Sequence, residues 1–306
     1  MTRSFRDAAV FCSLAIFLSS AQCQDASGTS HAQTASGSQV AQSEAAKAAT
    51  ERNQANVTRN PRIMGGEDAT IEDNPWQVAL VLSGEPSNAK GQFCGGAIVA
   101  PRWVLTAAHC VDAGTKPSQI AILVGTASLS TGGHRVPVAP NGIYIYNPWD
   151  FSNHKNDIAL VKTSEDLGGQ AIKGWSLPTP EDEGRNVVIT GWGSLTWQNS
   201  PPMSIILQKV EIQIVSLAKC NASDSYDRML TNSMLCIGKY AAGQKDSCER
   251  DSGGPATTEV NGVRELLGLT SWGAPRCGTP KMPGVYTRVS QYKDWIATIT
   301  ANEVKW

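Results

Sequence analysis

From Ile63 onward the apolar residues come in short stretches closed off by glycine, proline or asparagine. That punctuation narrows what the chain can fold into more than any other feature does. Trp103-Val104-Leu105-Thr106-Ala107-Ala108 and Ile158-Ala159-Leu160-Val161 are examples, rich in branched or small side chains and too short for an ordinary helix. The pattern predicts an all-β chain, and residues 63–306 are numerous enough to bury a substantial core. One stretch departs from it. After Ser290, the residues Tyr292, Trp295, Ile296 and Ile299 recur at helical spacing, which predicts a single amphipathic helix over about 291–301, packed on a sheet.

Upstream of Ile63 the composition changes. Residues 1–23 carry Arg3 and Arg6, an apolar run from about Ala8 to Leu18, and the small-residue stretch Ser19-Ser20-Ala21-Gln22-Cys23, the pattern of a cleaved signal peptide. The run is shorter than the ~20 apolar residues that a membrane helix needs, so export is expected, to the extracellular space or, in a bacterium, the periplasm. Residues 24–62 consist largely of Ala, Ser, Gln and Asn and lack the apolar surface to fold, which predicts a flexible propeptide. The mature part is expected to be monomeric and free of the membrane. With 26 basic against 27 acidic residues, neither nucleic acid nor a charged membrane is favoured as a partner. Asn56-Val57-Thr58 and Asn221-Ala222-Ser223 are glycosylation sequons, meaningful only where that machinery exists.

The chemistry concentrates in Lys245-Asp246-Ser247-Cys248-Glu249-Arg250-Asp251-Ser252-Gly253-Gly254-Pro255. A serine followed by two glycines can be held in a tight loop that a substrate carbonyl approaches closely, and Cys248 offers a covalent anchor four residues before it. A serine hydroxyl needs a base, and the base needs a group to hold its tautomer. Of four histidines, His31, His134 and His154 lie in polar stretches and are read as solvated, whereas His109 follows a buried strand and precedes Cys110. Asp157, opening Asp157-Ile158-Ala159-Leu160-Val161-Lys162, is a carboxylate placed where it can be buried against His109.

Together Thr106-Ala107-Ala108-His109-Cys110, Asp157 to Lys162, Gly191-Trp192-Gly193, Asp251 to Pro255, Ser271-Trp272-Gly273 and Pro283 to Val289 resemble the chymotrypsin-like serine proteases. The order His, Asp, Ser is that of this family and differs from subtilisin and the α/β-hydrolases. The resemblance implies two packed six-stranded antiparallel β-barrels with a C-terminal helix. Their join is expected near 178–185, where Thr179-Pro180-Glu181-Asp182-Glu183-Gly184 breaks the apolar pattern. It implies Ser252 as nucleophile, His109 as general base and acid, and Asp157 as the orienting acid.

The same resemblance assigns further residues. Asp246 would form the floor of the primary specificity pocket, with Ser247, Ser271, Trp272, Gly273 and Gly284 around it. A carboxylate there is costly to desolvate unless a cation arrives, so peptide or protein substrates with Arg or Lys before the cut are expected. Cleavage after Arg62 would free the Ile63 amino group to pair with Asp251. Cys12 and Cys23 fall in the signal, and the six later cysteines can pair in many ways; the family implies Cys94–Cys110, Cys220–Cys236 and Cys248–Cys277. No zinc site is expected, because no Cys-x-x-Cys pair or companion histidine stands at ligand spacing. No cofactor is implied either. Gly125 to Asn141 has no acid for a calcium loop, and Pro283 stands where sodium-regulated relatives have tyrosine.

One position departs from the family. The oxyanion-binding N–H groups would be those of Arg250 and Ser252, and the family usually has glycine at the first of these. Arginine keeps the N–H but adds bulk on the leaving-group side, and strain if φ is positive. Two readings follow: an active protease that resists bulky protein inhibitors, or a secreted, non-catalytic homologue that binds without cutting.

Overall fold

The computed structural model describes residues 65–112, 114–174, 182–196 and 203–306. The signal and propeptide segments and the junction Arg62–Ile63 lie outside the described residues.

The chain forms two closed barrels. Strands β2 (Gln77–Leu82), β3 (Gln92–Ala100), β4 (Trp103–Thr106), β5 (Ile120–Val124), β6 (His134–Ile145) and β7 (Ala159–Thr163) close in the order β2-β3-β4-β7-β6-β5. The second barrel uses β9 (Asn186–Gly191), β10 (Gln208–Val215), β11 (Met234–Ile237), β12 (Pro255–Val260), β13 (Val263–Trp272) and β14 (Gly284–Arg288), running β9-β10-β11-β14-β13-β12 and back to β9. Pairing within both barrels is antiparallel. Short β1 (Glu67–Asp68) adds to β10, and β8 (Lys173–Gly174) adds parallel to β13.

Side-chain alternation explains the strands. In β10, Val210, Ile212 and Ile214 point into the barrel with Val187, Ile189, Leu235 and Leu267, while Glu211 and Gln213 face solvent. β3 is different: nearly every residue is buried, because one face fills the first barrel and the other lies under the loop that carries Ser252. Three disulfides form, Cys94–Cys110, Cys220–Cys236 and Cys248–Cys277. In the chain-entropy account each stabilises the fold by roughly 3 kcal/mol. Two short helices, α1 (Asn88–Gly91) and α2 (Leu217–Cys220), are single turns.

The C-terminal helix α3 (Lys293–Ile299) follows a 3-10 turn at Val289–Tyr292 and ends where Ala301 and Asn302 take positive φ of 50° and 64°. It is therefore shorter than the periodicity predicts. Although it follows the second barrel, Tyr292 and Ile296 join the core of the first, and Tyr146 meets Tyr292 and Trp295 edge-on at 4.9 and 5.4 Å.

Candidate active site

β4 ends at Thr106 and leads through Ala107 into the 3-10 turn Ala108–Cys110, which carries His109. Asp157 stands two residues before β7, and β7 pairs with β4 so that Ala159 faces Thr106. Strand register thus brings two residues distant in sequence to one rim. Asp157 is 1% exposed. Its Oδ2 lies 2.7 Å from His109 Nδ1, and its Oδ1 accepts the His109 backbone N–H at 2.9 Å. The second barrel completes the shell: Ser271 on β13 donates its hydroxyl to Oδ2, and Thr287 on β14 donates to the Asp157 carbonyl. Facing a carboxylate, Nδ1 carries the proton and Nε2 keeps a lone pair. Burial alone would lower the His109 pKa, but the hydrogen bond and charge of Asp157, helped by Asp112, outweigh it and raise the value above the ordinary one.

Ser252 lies in the loop between Cys248 and β12, where four consecutive carbonyls are tied back. Ser194 N–H donates to Glu249, Gln92 Nε2 to Arg250, Gly254 N–H to Asp251 and Gly95 N–H to Ser252, at 2.8, 3.0, 2.9 and 2.8 Å. Among the described residues, the N–H groups of Arg250 and Ser252 donate to no acceptor, and the Ser252 hydroxyl makes no hydrogen bond. Nucleophile–base contacts are often long before a substrate binds. Arg250 is exposed, with φ of 69°, the left-handed region in which a side chain costs roughly 1–2 kcal/mol.

A cavity of about 180 Å³ opens beside Ser252, lined by Asp246, Ser247, Ser271, Trp272, Gly273 and Gly284 among others. Asp246 is 4% exposed. Its Oδ2 accepts the Gly278 N–H at 3.0 Å, whereas Oδ1 has no partner. Desolvation pushes the carboxyl up to about 7, outweighing the backbone N–H groups of Gly278, Ser247 and Gly284 near it. Ser247 is held by the buried Tyr286 hydroxyl at 2.8 Å. A Cβ on Gly284 would stand 2.6 Å from Asp246 Oδ1, so only glycine leaves the acid accessible.

The sequence matches the trypsin family profile over residues 63–296. The chain belongs to the trypsin family of serine proteases. Among its relatives are transmembrane protease serine 11C and transmembrane protease serine 11E of Mus musculus. The first is 34% identical over 249 residues, covering 80% of this chain and 55% of the relative. The second is 34% identical over 260 residues, covering 82% and 57%. The chain therefore spans little more than half the length of either. Among the described residues no helix is long and apolar enough to cross a membrane.

Within this trypsin-family domain, the motif Gly191-Trp192-Gly193 acquires a physical reason. Asp251 is fully buried, its Oδ1 accepting the Gly193 N–H at 2.8 Å and its Oδ2 the Cys248 N–H at 2.9 Å. A Cβ on either glycine would collide with this carboxylate. Desolvation pushes Asp251 up to about 6.

Two neighbours of the cleft escaped the sequence reading. His154 is not a solvated loop residue: it is half-buried, its ring stacked on Trp272 at 5.7 Å, with Phe151 and Trp149 beyond it at 5.8 and 6.3 Å. The signal that could have found it is the pair of aromatics just upstream in a polar loop. His134 is exposed, as expected. Gln92, 2% exposed, reaches the Ser252 loop from the first barrel. The grouping of Cys94, His109 and Cys110 offers no metal ligands from its sulfurs, which are bonded to each other. Asn221, the second sequon, spends its amide on both backbone groups of Leu230.

Proposed function

We propose that the chain is an exported zymogen whose residues 63–306, freed by a cut after Arg62, hydrolyse peptide bonds that follow Arg or Lys. The observation that carries the reading is a buried carboxylate, Asp246, with one oxygen unpartnered, in the cavity that opens beside Ser252. An arginine or lysine side chain would supply the missing cation.

In this mechanism Ser252 Oγ attacks the scissile carbonyl while its proton passes to His109 Nε2. The oxyanion is met by the N–H groups of Arg250 and Ser252, and Asp157 holds the imidazolium that forms. His109 then gives the proton to the leaving amine, which departs and leaves an acyl ester on Ser252. A water, deprotonated by His109, cleaves the ester and restores the serine.

Activation would use Asp251. It is a buried carboxylate with two N–H donors and, among the described residues, no ion-pair partner, so a newly freed Ile63 amine would provide the cation. Pairing would order the loop that bears both oxyanion donors. Because the bond follows arginine, the mature enzyme could cut its own precursor.

The relatives' names raise the alternative that the first apolar run remains as an anchor. It is short for a span, which favours export and cleavage; N-terminal sequencing of protein recovered from the medium decides this.

A binding-only homologue would need a disordered oxyanion loop. The four tied-back carbonyls favour catalysis instead, with Arg250 crowding the leaving side. Arg250→Gly should then tighten bulky protein inhibitors far more than it changes hydrolysis of a short amide. Equal effects on both would sink that account. The primary test is hydrolysis of short Arg, Lys and Phe amides by protein cut after Arg62, beside Ser252→Ala and the uncut chain. Turnover of Arg and Lys substrates that requires both Ser252 and the cut supports the reading. Folded, correctly cut protein with no turnover refutes it.

A further inference from the structure

Resting on that reading, we propose that Gln92 is a positioning residue for the oxyanion hole: its carboxamide, extended from the first barrel, holds the Arg250–Asp251 peptide so that both flanking peptides present their N–H groups to the substrate.

The donor N–H groups belong to peptides 249–250 and 251–252. Between them lies peptide 250–251, whose N–H is tied to the Cys248 carbonyl at 3.0 Å and whose carbonyl accepts from Gln92 Nε2 at 3.0 Å. The other three carbonyls of Glu249 to Ser252 are held by backbone N–H groups, which a substitution cannot remove. The Arg250 carbonyl alone of the four depends on a side chain. Gln92 is itself fixed: it is 2% exposed, and Nε2 also donates to the Cys94 carbonyl at 3.2 Å. Its Oε1 is buried without a hydrogen-bond partner. Leaving a buried carbonyl oxygen unsatisfied is unfavourable, and so is holding a non-glycine residue at a φ of 69°. Both penalties meet at one contact across the cleft. The N–H groups of this amide thus keep Arg250 in a conformation that its own backbone disfavours.

Without that donor, Arg250 is free to relax toward negative φ. The Glu249 carbonyl and the Arg250 N–H share one peptide plane, so a relaxation that also swings this peptide off Ser194 turns the N–H away from the substrate oxygen while Asp246 keeps its place on the cavity floor. The defect would be confined to the transition state. Glycine at 250 takes positive φ without strain, so it should need the clamp less.

The experiment uses the full chain cut after Arg62, as wild type, Gln92→Met, Arg250→Gly and the double variant. Methionine fills the same volume without a donor; Gln92→Ala serves if the methionine variant misfolds. Expected for Gln92→Met is a kcat for an Arg amide about 10- to 100-fold lower, below the full loss of one oxyanion donor. KM and the Ki of benzamidine, which occupies only the cavity, should stay within about twofold. The Ki of a peptidyl argininal, whose hemiacetal oxygen enters the hole, should rise in step with the fall in kcat. In the Arg250→Gly background the Gln92→Met effect should shrink severalfold. An active wild type with an unaffected Gln92→Met kcat overturns the inference alone. So does a loss in which benzamidine affinity and melting temperature fall together with kcat, since that marks a merely structural residue. A wild type that binds benzamidine but turns nothing over overturns the protease reading, and the inference with it.

Discussion

Two buried acids stand in one cleft and are treated in opposite ways. Around Asp157 every carboxylate lone-pair direction that matters is filled, by the His109 ring, the His109 backbone and Ser271, with donors from both barrels. Around Asp246 one oxygen has a single backbone donor and the other has none. A satisfied acid orients a neighbour and stays put, whereas an unsatisfied one is a receptor for whatever cation can reach it. On the proposed reading, one carboxylate serves geometry and the other recognition.

Breaking the first should give the largest effect. Asp157→Asn keeps size and most contacts but favours the wrong imidazole tautomer. In the archetypal enzymes of this family the same change lowers turnover by about 10⁴, so kcat should fall by about that much with the melting temperature nearly unchanged. A large loss of stability would instead mean that Asp157 is mainly structural. Breaking the second, with Asp246→Asn, should lower kcat/KM for Arg and Lys amides by about 10²–10³, as expected for removing one partner of a buried charge pair. Phe amides would be little affected. If all three substrates lost activity alike, Asp246 would not be the specificity acid.

Acid pH sharpens the contrast. With its carboxyl pushed up to about 7, Asp246 is protonated below that value and cannot pair with a cation. Benzamidine affinity should therefore fall about tenfold for each unit that pH drops below about 7, and be flat in Asp246→Asn. An unchanged wild-type affinity down to pH 5 would place the cation elsewhere.

The smallest effect expected is on stability. Asp246 and Asp251 are both raised above the model-peptide value of 3.8 by burial, so the folded chain keeps protons that the unfolded chain has released. Their contribution is present in full below about 4 and is lost as pH rises through about 6 and 7. Asp246→Asn should consequently raise the melting temperature of the uncut chain at pH 8 more than at pH 5; the reverse order would contradict the burial argument.

The residues legible in the sequence were those whose chemistry is local. Asp246, Cys248, Asp251 and Ser252 lie within one loop, and His109 announces itself by following a buried strand and preceding a cysteine. What could not be read was contact made by folding. Gln92 and Arg250 are 158 residues apart, and nothing in the polar stretch before Cys94 marks that glutamine as buried. His154 looked solvated because its neighbours are polar, yet Trp272, far along the chain, gives it a stacking surface. The positive φ of Arg250 was foreseeable as a risk, but that the chain accepts it could be learned only from the backbone.

The placement of α3 bears on how the protein is made. Val289, Tyr292, Ile296 and Val304 belong to the same core as Ile98, Val104 and Leu160, and the Tyr292 hydroxyl donates to Asn156 Oδ1 at 3.0 Å. The first barrel to leave a ribosome is thus sealed by residues that come after the second barrel in the chain. Until those residues have been synthesised, the barrel that holds His109 and Asp157 lacks part of its wall, so both barrels should mature together.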